Sequence, residues 1–535
     1  MNFMLGNTQK NIDNGGNKMN KKFKQVILGL TAAAACAVMA SCGGGQTTSS
    51  GGDADKITYW CILDANTSQT ASNLGDTPFA KKLMEATGAK IEYQHPAQGQ
   101  AGEKFNIMVA MGNLPDIIEY SWNSGYPGGF SKAMSDGVIQ AIDAEKEAPN
   151  MMAYIKEHPE LDKMLKTDDG KYYGYPFIRG DEYLLTSAGM IVRDDWLKDL
   201  GLSDPETIDD WTEMLTAFKE KKGAKAPLTV NPGFISNQGV IVGAFGIYDG
   251  LYIDGGTVKY GPMEDAYKDF LVQMNSWYQA GLLDADYASV DGSTIQSNML
   301  NGVSGATFGS CGQGIGKWMA AAPDDKYSLK GVKYPVLKKG DVPQFGNYQY
   351  PVTPTVAVIS RDCKNKELCT KVLDYGYGAE GQMLFNFGIE GESYNMVDGY
   401  PTYTDLITKN PEGLSMSAAL AKYTRAHTES SFIQDKRYME QYANLPQQKA
   451  ALTNWMATNM KEHRMPDVSL TSEQQSDIST LLENLDTYKS EMQAKFIMGV
   501  EPIENFDKFR NELRNRGVEK YLGYQQEAYE RYLKR

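Results

Sequence analysis

Extended and helical segments alternate between residues 57 and 120 of this chain. β-branched and aromatic residues favour strands, and apolar residues at helical spacing favour helices between them. In chain order, the predicted strands and helices take turns over 57–63, 78–87, 90–95, 102–111 and 117–120. Parallel strands need a crossover connection, usually a helix, so this alternation predicts an α/β fold built on a parallel sheet.

Length and charge narrow the possible architectures and partners. A chain of 535 residues exceeds what one hydrophobic core usually serves, so we expect two or more lobes. A hydrophobic content of 41% is ordinary for a globular protein. The formal net charge of -14 argues against nucleic-acid binding, because a phosphate backbone needs a basic face.

A signal sequence is predicted at residues 1–41. A basic cluster that begins at Lys21 precedes an apolar run at 26–39, which is too short to span a bilayer comfortably. Small residues then lead to Cys42. This arrangement resembles the lipobox of bacterial lipoproteins, although Met39 stands where Leu is commoner.

The lipobox resemblance makes Cys42 the predicted lipidation site, with a diacylglyceryl group on its sulfur. Residues 42–56 are rich in Gly, Ser and Thr and predict a flexible tether. Met19 directly precedes the basic cluster and is the predicted start of translation. The alternative is a soluble secreted protein that carries a cysteine at this position by chance.

Cysteine and histidine are too scattered to predict a disulfide-built fold or a zinc site. Cys363 and Cys369 either pair outside the cell or stay free, and free buried thiols are the prediction. No pair among the four histidines has metal-ligand spacing.

Polar and aromatic side chains follow two of the predicted strands. Asp64 and Asn66 follow the first strand, and Tyr120, Trp122 and Tyr126 end or follow the third. Ligands of open α/β sheets bind beyond the carboxyl ends of the strands, so these residues are predicted ligand contacts. Packing in the core is the alternative for each aromatic ring.

The stretch 171–211 is predicted to carry the chain from one lobe into another. An extended run at 183–192 is followed by a helix at 194–200 and by a second helix that begins at Thr207 in a capping box. The alternative is a strand–helix unit inside one large domain. A crossover here makes cleft-facing candidates of Tyr173, Tyr175 and Arg179.

The second half of the chain gives weaker signals. The glycine-rich stretch 309–316 lacks the ending of a P-loop and the spacing of a dinucleotide fingerprint, so it predicts a close backbone approach to a ligand. A strand is predicted at 333–337 and a mostly helical region at 412–495. Two helices separated by Gly517 are predicted at the end of the chain.

Six stretches in order resemble one family of proteins. They read FNIMVAMGNLPDII, KYYGYPF, VRDDWLKDLGLSDPETIDDW, WYQAGLLDADY, NFGIEGESYNMVDGYPTY and YQQEAYERY. With the lipobox before them, they resemble the extracellular solute-binding lipoproteins of bacterial ABC importers. The similarity is to the carbohydrate-oriented branch, which is related to maltodextrin- and alginate-oligosaccharide-binding proteins.

This resemblance implies a two-lobed α/β, periplasmic-binding-protein-like fold of type II, with a ligand cleft between the lobes and a helical C-terminal part. Lobe 1 would comprise 57–177 and about 344–377, and lobe 2 would comprise 188–334 and about 378–535. The resemblance further implies a monomer held by its lipid on the outer face of the bacterial membrane. It would deliver an oligosaccharide to ABC importer permease subunits.

Sugar binding needs aromatic platforms and hydroxyl-binding polar groups. Beyond the residues already named, Trp60, Trp318, Tyr350 and Glu392 are candidates. Two other functions stay open: the same scaffold could bind a peptide or another solute, and a secreted glycoside hydrolase would need two carboxylates flanking a bond. No catalytic residue is predicted.

No cofactor is predicted. The family resemblance implies a structural calcium ion only as a possibility taken from some relatives. Some relatives bind calcium near the corresponding region, where this chain offers four carboxylates. Their spacing does not match a twelve-residue calcium loop, and favourable charge at a helix start already explains two of them. The four are Asp199, Asp204, Asp209 and Asp210.

Overall fold

The computed structural model describes residues 55–233 and 239–535, and these form two α/β lobes, each built around its own sheet. The predicted signal sequence, Cys42 and nearly all of the tether lie outside the described residues. Within those two ranges, no helix combines the length and the apolar character that crossing a membrane requires.

The strands are short, and most of the helices are too. The strands are β1 Lys56–Trp60, β2 Lys90–Gln94, β3 Ile117–Ser121, β4 Tyr175–Arg179, β5 Ala188–Arg193, β6 Leu251–Asp254, β7 Thr257–Tyr260, β8 Ala306–Ser310, β9 Leu329–Val332, β10 Val352–Ile359, β11 Tyr394–Val397, β12 Tyr400–Tyr403 and β13 Ile433–Gln434. The helices of the first half are α1 Pro78–Thr87, α2 Ala101–Met111, α3 Trp122–Gly125, α4 Gly129–Ser135, α5 Ala144–Glu147, α6 Pro149–Glu157, α7 Asp194–Leu200, α8 Ile208–Lys222 and α9 Asp265–Gln279. Those of the second half are α10 Gly292–Leu300, α11 Lys317–Ala320, α12 Lys366–Tyr375, α13 Ala379–Phe387, α14 Asp405–Thr408, α15 Met416–Tyr423, α16 Lys436–Tyr442, α17 Pro446–Met456, α18 Met460–His463, α19 Ser472–Met498, α20 Phe506–Asn515 and α21 Val518–Leu533.

The large sheet has the strand order β13-β4-β10-β3-β1-β2. Strands β1, β2 and β3 run parallel, which confirms the sheet predicted from the strand–helix alternation. Strand β10 enters between β3 and β4 and runs antiparallel to both. The carboxyl ends of β1 and β3 therefore meet at one edge of the sheet, where the loops that follow them gather.

Apolar side chains bury both faces of the large sheet. One core contains Ile57, Ile91 and Ile117, packed under α1, α6, α12 and α13. The other core contains Ile118 and Val358, packed under α2 and α4. Helices on both faces are the usual cover of a sheet with parallel strands, because the crossover connections place them there.

The small sheet has the order β8-β5-β9 and is antiparallel. Helix α17 packs directly against the backbone of this sheet, because two glycines in the strands have no side chain that would keep the helix away. A Cβ built on Gly189 would be 2.3 Å from the ring of Trp455, and one built on Gly331 would be 2.3 Å from the Cβ of Ala451. The Nε1 of Trp455 donates to the carbonyl of Met190 at 3.2 Å, which fixes the helix in register with β5.

Most predicted elements occur where the sequence places them. The capping box at Thr207 forms, with the Asp210 side chain accepting from the Thr207 backbone N–H at 2.8 Å. The two C-terminal helices meet at Gly517, whose φ of 90° suits glycine alone. Of the extended run 183–192, only the end is a strand, because a short 3-10 turn capped by Asp181 occupies its start.

The predicted strand at 333–337 is wrong, because the strand β9 ends just before it. Pro335 has no N–H to give to a ladder, and the Tyr334 hydroxyl donates to the carbonyl of Ala188 at 2.8 Å. Of this stretch, only Val336 pairs, in an isolated bridge with Thr207. The chain therefore leaves the small sheet here and turns toward the large one.

The main chain passes between the two sheets several times. It leaves the large sheet after Arg179 and enters the small sheet at Ala188. Residues of 379–434 return to the large sheet, since α13 packs on its core and β13 pairs with β4. The predicted lobe boundaries stay predictions, and these contacts favour a last boundary after residue 434 instead of near 378.

We expect Gly189→Ala to lower the free energy of unfolding by about 1–3 kcal/mol, because the added methyl group overpacks against the rigid Trp455 ring. The control is Gly523→Ala in α21, where a Cβ meets nothing within 4 Å. Loss of helical glycine there should stabilise the chain by about 0.5–1 kcal/mol. Urea unfolding measures both, and equal effects would contradict the close contact between α17 and β5.

Candidate functional site

Charged side chains gather where β1 and β3 end, at the carboxyl edge of the large sheet. Asp64 follows β1, Glu119 lies within β3, and the segment 424–431 runs past both before its chain enters β13. We call this segment, whose sequence is TRAHTESS, the polar crossing segment. It brings Arg425, His427 and Glu429 to the sheet edge.

The guanidinium of Arg425 lies between two carboxylates. Its Nη2 is 3.6 Å from Glu119 Oε1, and its Nη1 is 3.9 Å from Asp64 Oδ2. Glu119 also accepts from the Tyr59 hydroxyl at 2.8 Å and from the Ser430 hydroxyl at 2.9 Å. The side chain of Arg425 is only 2% exposed, so this ion pairing offsets the cost of burying its charge.

The imidazole of His427 lies beside this cluster with unused hydrogen-bonding capacity. Its Nε2 is 3.8 Å from Asp64 Oδ1, beyond hydrogen-bond distance. Neither ring nitrogen has a hydrogen-bond partner, although the side chain is only 14% exposed. A buried polar group usually has a hydrogen-bond partner, so this imidazole is an exception that needs a physical reason.

A second set of charges flanks the first. The Nη1 of Arg179, at the end of β4, donates to the carbonyl of Tyr350 at 2.7 Å, and its Nη2 is 3.9 Å from Glu429 Oε1. The guanidinium of Arg464 stacks 4.3 Å from the centre of the Tyr350 ring. The Tyr350 hydroxyl donates to the carbonyl of Met465 at 3.1 Å, which holds the ring in place.

Burial and neighbouring charge shift the pKa values of these groups in different directions. Burial alone would raise the pKa of Asp64, but His427, Arg425 and the Thr67 hydroxyl outweigh it and hold that pKa well below the ordinary carboxyl range. Burial raises the pKa of Glu119 in spite of Arg425. Burial lowers the pKa of Arg179 to about 10.

The set offers the chemistry of recognition. Carboxylates and carbonyls accept from hydroxyl groups, and guanidinium groups donate to hydroxyl oxygens. An unpartnered imidazole donates or accepts, and the Tyr350 ring gives a flat apolar face. An internal cavity of about 10 Å³, lined by Tyr59, Cys61, Glu119, Arg425 and Ser430, has room for about one water beneath them.

Two of the sequence-predicted ligand contacts, Asp64 and Arg179, lie against the polar crossing segment through Arg425 and Glu429. A third, Tyr350, accepts from Arg179 through its carbonyl. Four other predicted ligand contacts are not part of this set. The backbone of Asn66 donates to Asp64, the Tyr120 ring stacks on Phe105, and the Tyr126 hydroxyl donates to Asp136. The fourth, Glu392, is exposed on the turn before β11.

Five predicted aromatic contacts are buried and packed against protein. For example, the Tyr173 ring stacks on Phe130 with 3.7 Å between the ring centres, and the Tyr175 hydroxyl donates to the carbonyl of Glu147. Core packing, the alternative that the sequence left open, accounts for their position here, and their role as ligand contacts stays a prediction. The five are Trp60, Trp122, Tyr173, Tyr175 and Trp318.

The glycine-rich stretch also meets protein instead of open space. Residues Cys311–Gly316 form one π-helical turn. A Cβ on Gly312 would be 2.5 Å from the Tyr442 hydroxyl, and one on Gly316 would be 2.7 Å from the Gln448 amide. The glycines therefore admit α16 and α17, and the predicted close backbone approach is made to these helices.

Sequence reasoning missed Arg425, His427, Glu429 and Arg464. The first three lie in a region predicted only as mostly helical, whereas the polar crossing segment is irregular, with turns and bends and no helix. The available signal was the TRAHTESS sequence itself, with an arginine, a histidine and a glutamate in a stretch that lacks apolar periodicity.

The four calcium candidates do not converge. Asp199 pairs with Lys222 at 2.8 Å, Asp204 pairs with Lys330 at 2.7 Å, and Asp210 caps α8. Across 55–233 and 239–535, no group of three or more His, Cys, Asp and Glu side chains is arranged to hold a metal ion. Calcium needs six to eight oxygens, so these carboxylates do not form a site as they stand.

Polar contacts join the two lobes near the end of the chain. Helix α21 packs on the β6–β7 hairpin, yet its Arg531 donates to Asp168 of the large-sheet lobe at 2.8 Å. Arg535 donates to the same carboxylate at 2.9 Å. Nearby, the Asn123 amide donates to Asp467 at 2.8 Å. We call Asp168, Arg531 and Arg535 the C-terminal clamp.

We expect Asp64→Asn to lower the free energy of unfolding by about 1–3 kcal/mol at pH 7, because Arg425 loses a partner. The folded pKa of Asp64 is depressed, so its stabilisation is present above the unfolded value near 3.9 and is lost as the pH falls below it. The difference between wild type and variant in urea unfolding should therefore narrow from pH 7 to pH 3. A difference in unfolding free energy that stays constant with pH would contradict the pairing. The control is Asp269→Asn, at an exposed site on α9.

We expect Asp168→Asn to shift the unliganded protein toward arrangements with the lobes further apart, because two arginine contacts across the lobes are weakened. Small-angle scattering should report a larger radius of gyration. The matched control is Asp265→Asn, which removes a carboxylate–Arg510 pair within one lobe. An unchanged radius for Asp168→Asn would show that the clamp does not hold the lobes.

Comparisons with known proteins agree with this architecture. The family model described as bacterial extracellular solute-binding protein matches residues 68–383. Lipoprotein LipO of Bacillus subtilis is 27% identical over 78% of this chain and 82% of its own length. The fructooligosaccharide ABC transporter substrate-binding protein FusA of Streptococcus pneumoniae is 23% identical over 96% and 98%.

A solved structure shares the fold. The alginate-binding protein AlgQ2, in a crystal structure without calcium ion, superposes with a TM-score of 0.70 at 22% identity, covering 89% of this chain and 98% of that one. This likeness confirms the predicted two-lobed α/β fold. With the family match over more than half of its length, the chain belongs to the bacterial extracellular solute-binding proteins.

Proposed function

We propose that this protein is a lipid-anchored extracellular receptor that captures an oligosaccharide and delivers it to an ABC importer. The observation that carries the proposal is His427, which is nearly buried beside Asp64 at the carboxyl edge of the large sheet and has no hydrogen-bond partner. A site of this kind binds a ligand rich in hydroxyl groups at low cost, because its polar atoms are already desolvated and held in place.

The surrounding side chains suit the two surfaces of a sugar ring. Asp64 and Glu429 accept from hydroxyl groups, and His427 donates or accepts according to its tautomer. The Tyr350 ring offers a platform for the apolar face of a sugar, and its hydroxyl is already satisfied by Met465. Asp64 and Tyr350 were predicted as ligand contacts from the sequence.

The relatives support a carbohydrate ligand. One solved structure is that of FusA, the fructooligosaccharide ABC transporter substrate-binding protein, in complex with kestose. Its TM-score to this chain is 0.67. A second relative is named polygalacturonan/rhamnogalacturonan-binding protein YtcQ, and it is 27% identical over 43% of this chain. These names describe a fructooligosaccharide and two galacturonan polysaccharides, so they support a carbohydrate ligand and leave the sugar open.

The anchor and the partners follow from the same proposal. Cys42 would carry the lipid, and residues 42–56 would tether the lobes to the outer face of the membrane. One of the relatives is named a lipoprotein. The loaded monomer would then present both lobes to the permease subunits of the importer, with the ligand held between them.

Membership in a solute-binding family accounts for binding without chemistry, and the protein is not an enzyme. The hydrolase alternative needs two carboxylates that flank a bond. Glu390 and Glu392 are near each other simply because they are two residues apart in the sequence, and both are exposed just before β11. The alternative of a peptide ligand uses the same scaffold, and the experiment below separates it from the main proposal.

We expect a panel of neutral and acidic oligosaccharides to contain a ligand that raises the thermal midpoint and binds in calorimetry with micromolar or tighter affinity. His427→Ala should weaken that binding by about tenfold or more, because a desolvated partner is lost. Asp269→Asn should bind like the wild type. Stabilisation by peptide pools and by no glycan would overturn the proposal, as would release of shortened sugars during the titration.

A further inference from the structure

Two cysteines face each other on the side of the large-sheet lobe where β10 ends. Cys363 lies in the loop between β10 and α12, and Cys369 is the fourth residue of α12. Their sulfur atoms are 3.3 Å apart, and both thiols are free in the described structure. Cys369 is fully buried, while Cys363 is partly exposed. The candidate functional site uses neither of them.

The backbone on both sides of this pair is held in place. Asp362 accepts from the N–H of Leu114 at 3.1 Å, and the N–H of Cys363 donates to the carbonyl of Ser360. On the other side, Asn365 caps α12 by accepting from the N–H of Leu368 at 3.1 Å. The two sulfurs therefore stay neighbours without any movement of the main chain.

We propose that Cys363 and Cys369 form an intramolecular disulfide when the protein meets an oxidising extracellular environment. The sulfurs need to approach by little more than about 1 Å to reach the S–S bond length of about 2.05 Å. Disulfides persist outside the cell, and the family to which this chain belongs is extracellular. Free thiols, the prediction from the sequence, then describe only the reduced protein.

The step balances with a small-molecule disulfide, such as oxidised glutathione, as the oxidant. The Cys363 thiolate attacks one sulfur of that disulfide and releases one thiol. The Cys369 thiolate then attacks the Cys363 sulfur and releases the second thiol, so two electrons and two protons pass from the protein to the oxidant. Cys363 is the natural first nucleophile because it is the more exposed.

The contact between the thiols supports this order of attack. A hydrogen bond from the Cys369 thiol lowers the pKa of the Cys363 thiol, and the same contact, with burial, raises the pKa of Cys369. The product would join the end of β10, the strand that pairs with both β3 and β4, to a helix on the core of the same sheet. The disulfide would cross-link this part of the large-sheet lobe without involving any residue of the candidate functional site.

The sequence between the cysteines makes the test direct. Trypsin cleaves after Arg361, Lys364, Lys366 and Lys371, so it separates the two cysteines into the peptides DCK and ELCTK. After treatment of the full chain with oxidised glutathione, a non-reducing digest should contain these two peptides joined, and reduction should release them. Cys363→Ser should give no linked pair. The oxidised wild type should also unfold about 2–5 °C above the reduced protein, with no such rise in Cys363→Ser.

Three results would overturn the proposal. Both cysteines could remain open to alkylation after oxidation, Cys363 could stop at a stable glutathione adduct, or either cysteine could link to a different one. A double variant, Cys363→Ala with Cys369→Ala, keeps the test informative if one serine disturbs the core, because its unfolding midpoint should be the same in oxidant and reductant.

Discussion

The buried guanidinium of Arg425 is the interaction on which the site region depends. It lies between Glu119, inside β3, and Asp64, in the loop after β1, so one side chain joins two strands of the large sheet to the polar crossing segment. Removing Arg425 itself would leave the buried Glu119 charge without compensation, a loss that typically costs about 3–5 kcal/mol. The conformation of the segment, and with it the position of His427, is therefore tied to this pairing.

The small-sheet lobe depends on close packing between a helix and a sheet of three antiparallel strands. Gly189 and Gly331 let α17 approach the strands until Trp455 and Ala451 touch the backbone. Close packing of this kind is stiff, because an added methyl group has no space to enter. A stiff lobe moves as one body, which suits a receptor that works by bringing two lobes together around a ligand.

Contacts between the lobes set how tightly any ligand is held. Asp168 accepts hydrogen bonds from Arg531 of the last helix and from Arg535 just after it, so a few polar contacts favour the arrangement in which the lobes touch. A ligand that binds this arrangement gains affinity in proportion to how often the unliganded protein already adopts it. None of the three clamp residues is among the proposed ligand contacts, so a change in the clamp alters the arrangement of the lobes and leaves those contacts in place.

The sequence by itself determined most of the elements, although the strand predicted at 333–337 was wrong. Local patterns gave the first helices and strands, the capping box at Thr207 and the break at Gly517, because propensity, periodicity and turn chemistry act over a few residues. The candidate site was only partly predictable: Asp64, Arg179 and Tyr350 were found, whereas Arg425 and His427 were not. Their roles come from contacts with residues 300 or more positions earlier, such as Arg425 with Glu119 and Asp64. Burial likewise assigned Trp122 and Tyr175 to the core, which strand position alone did not reveal. Long-range packing decides which polar atoms lose water and stay unpartnered, and no local pattern encodes that.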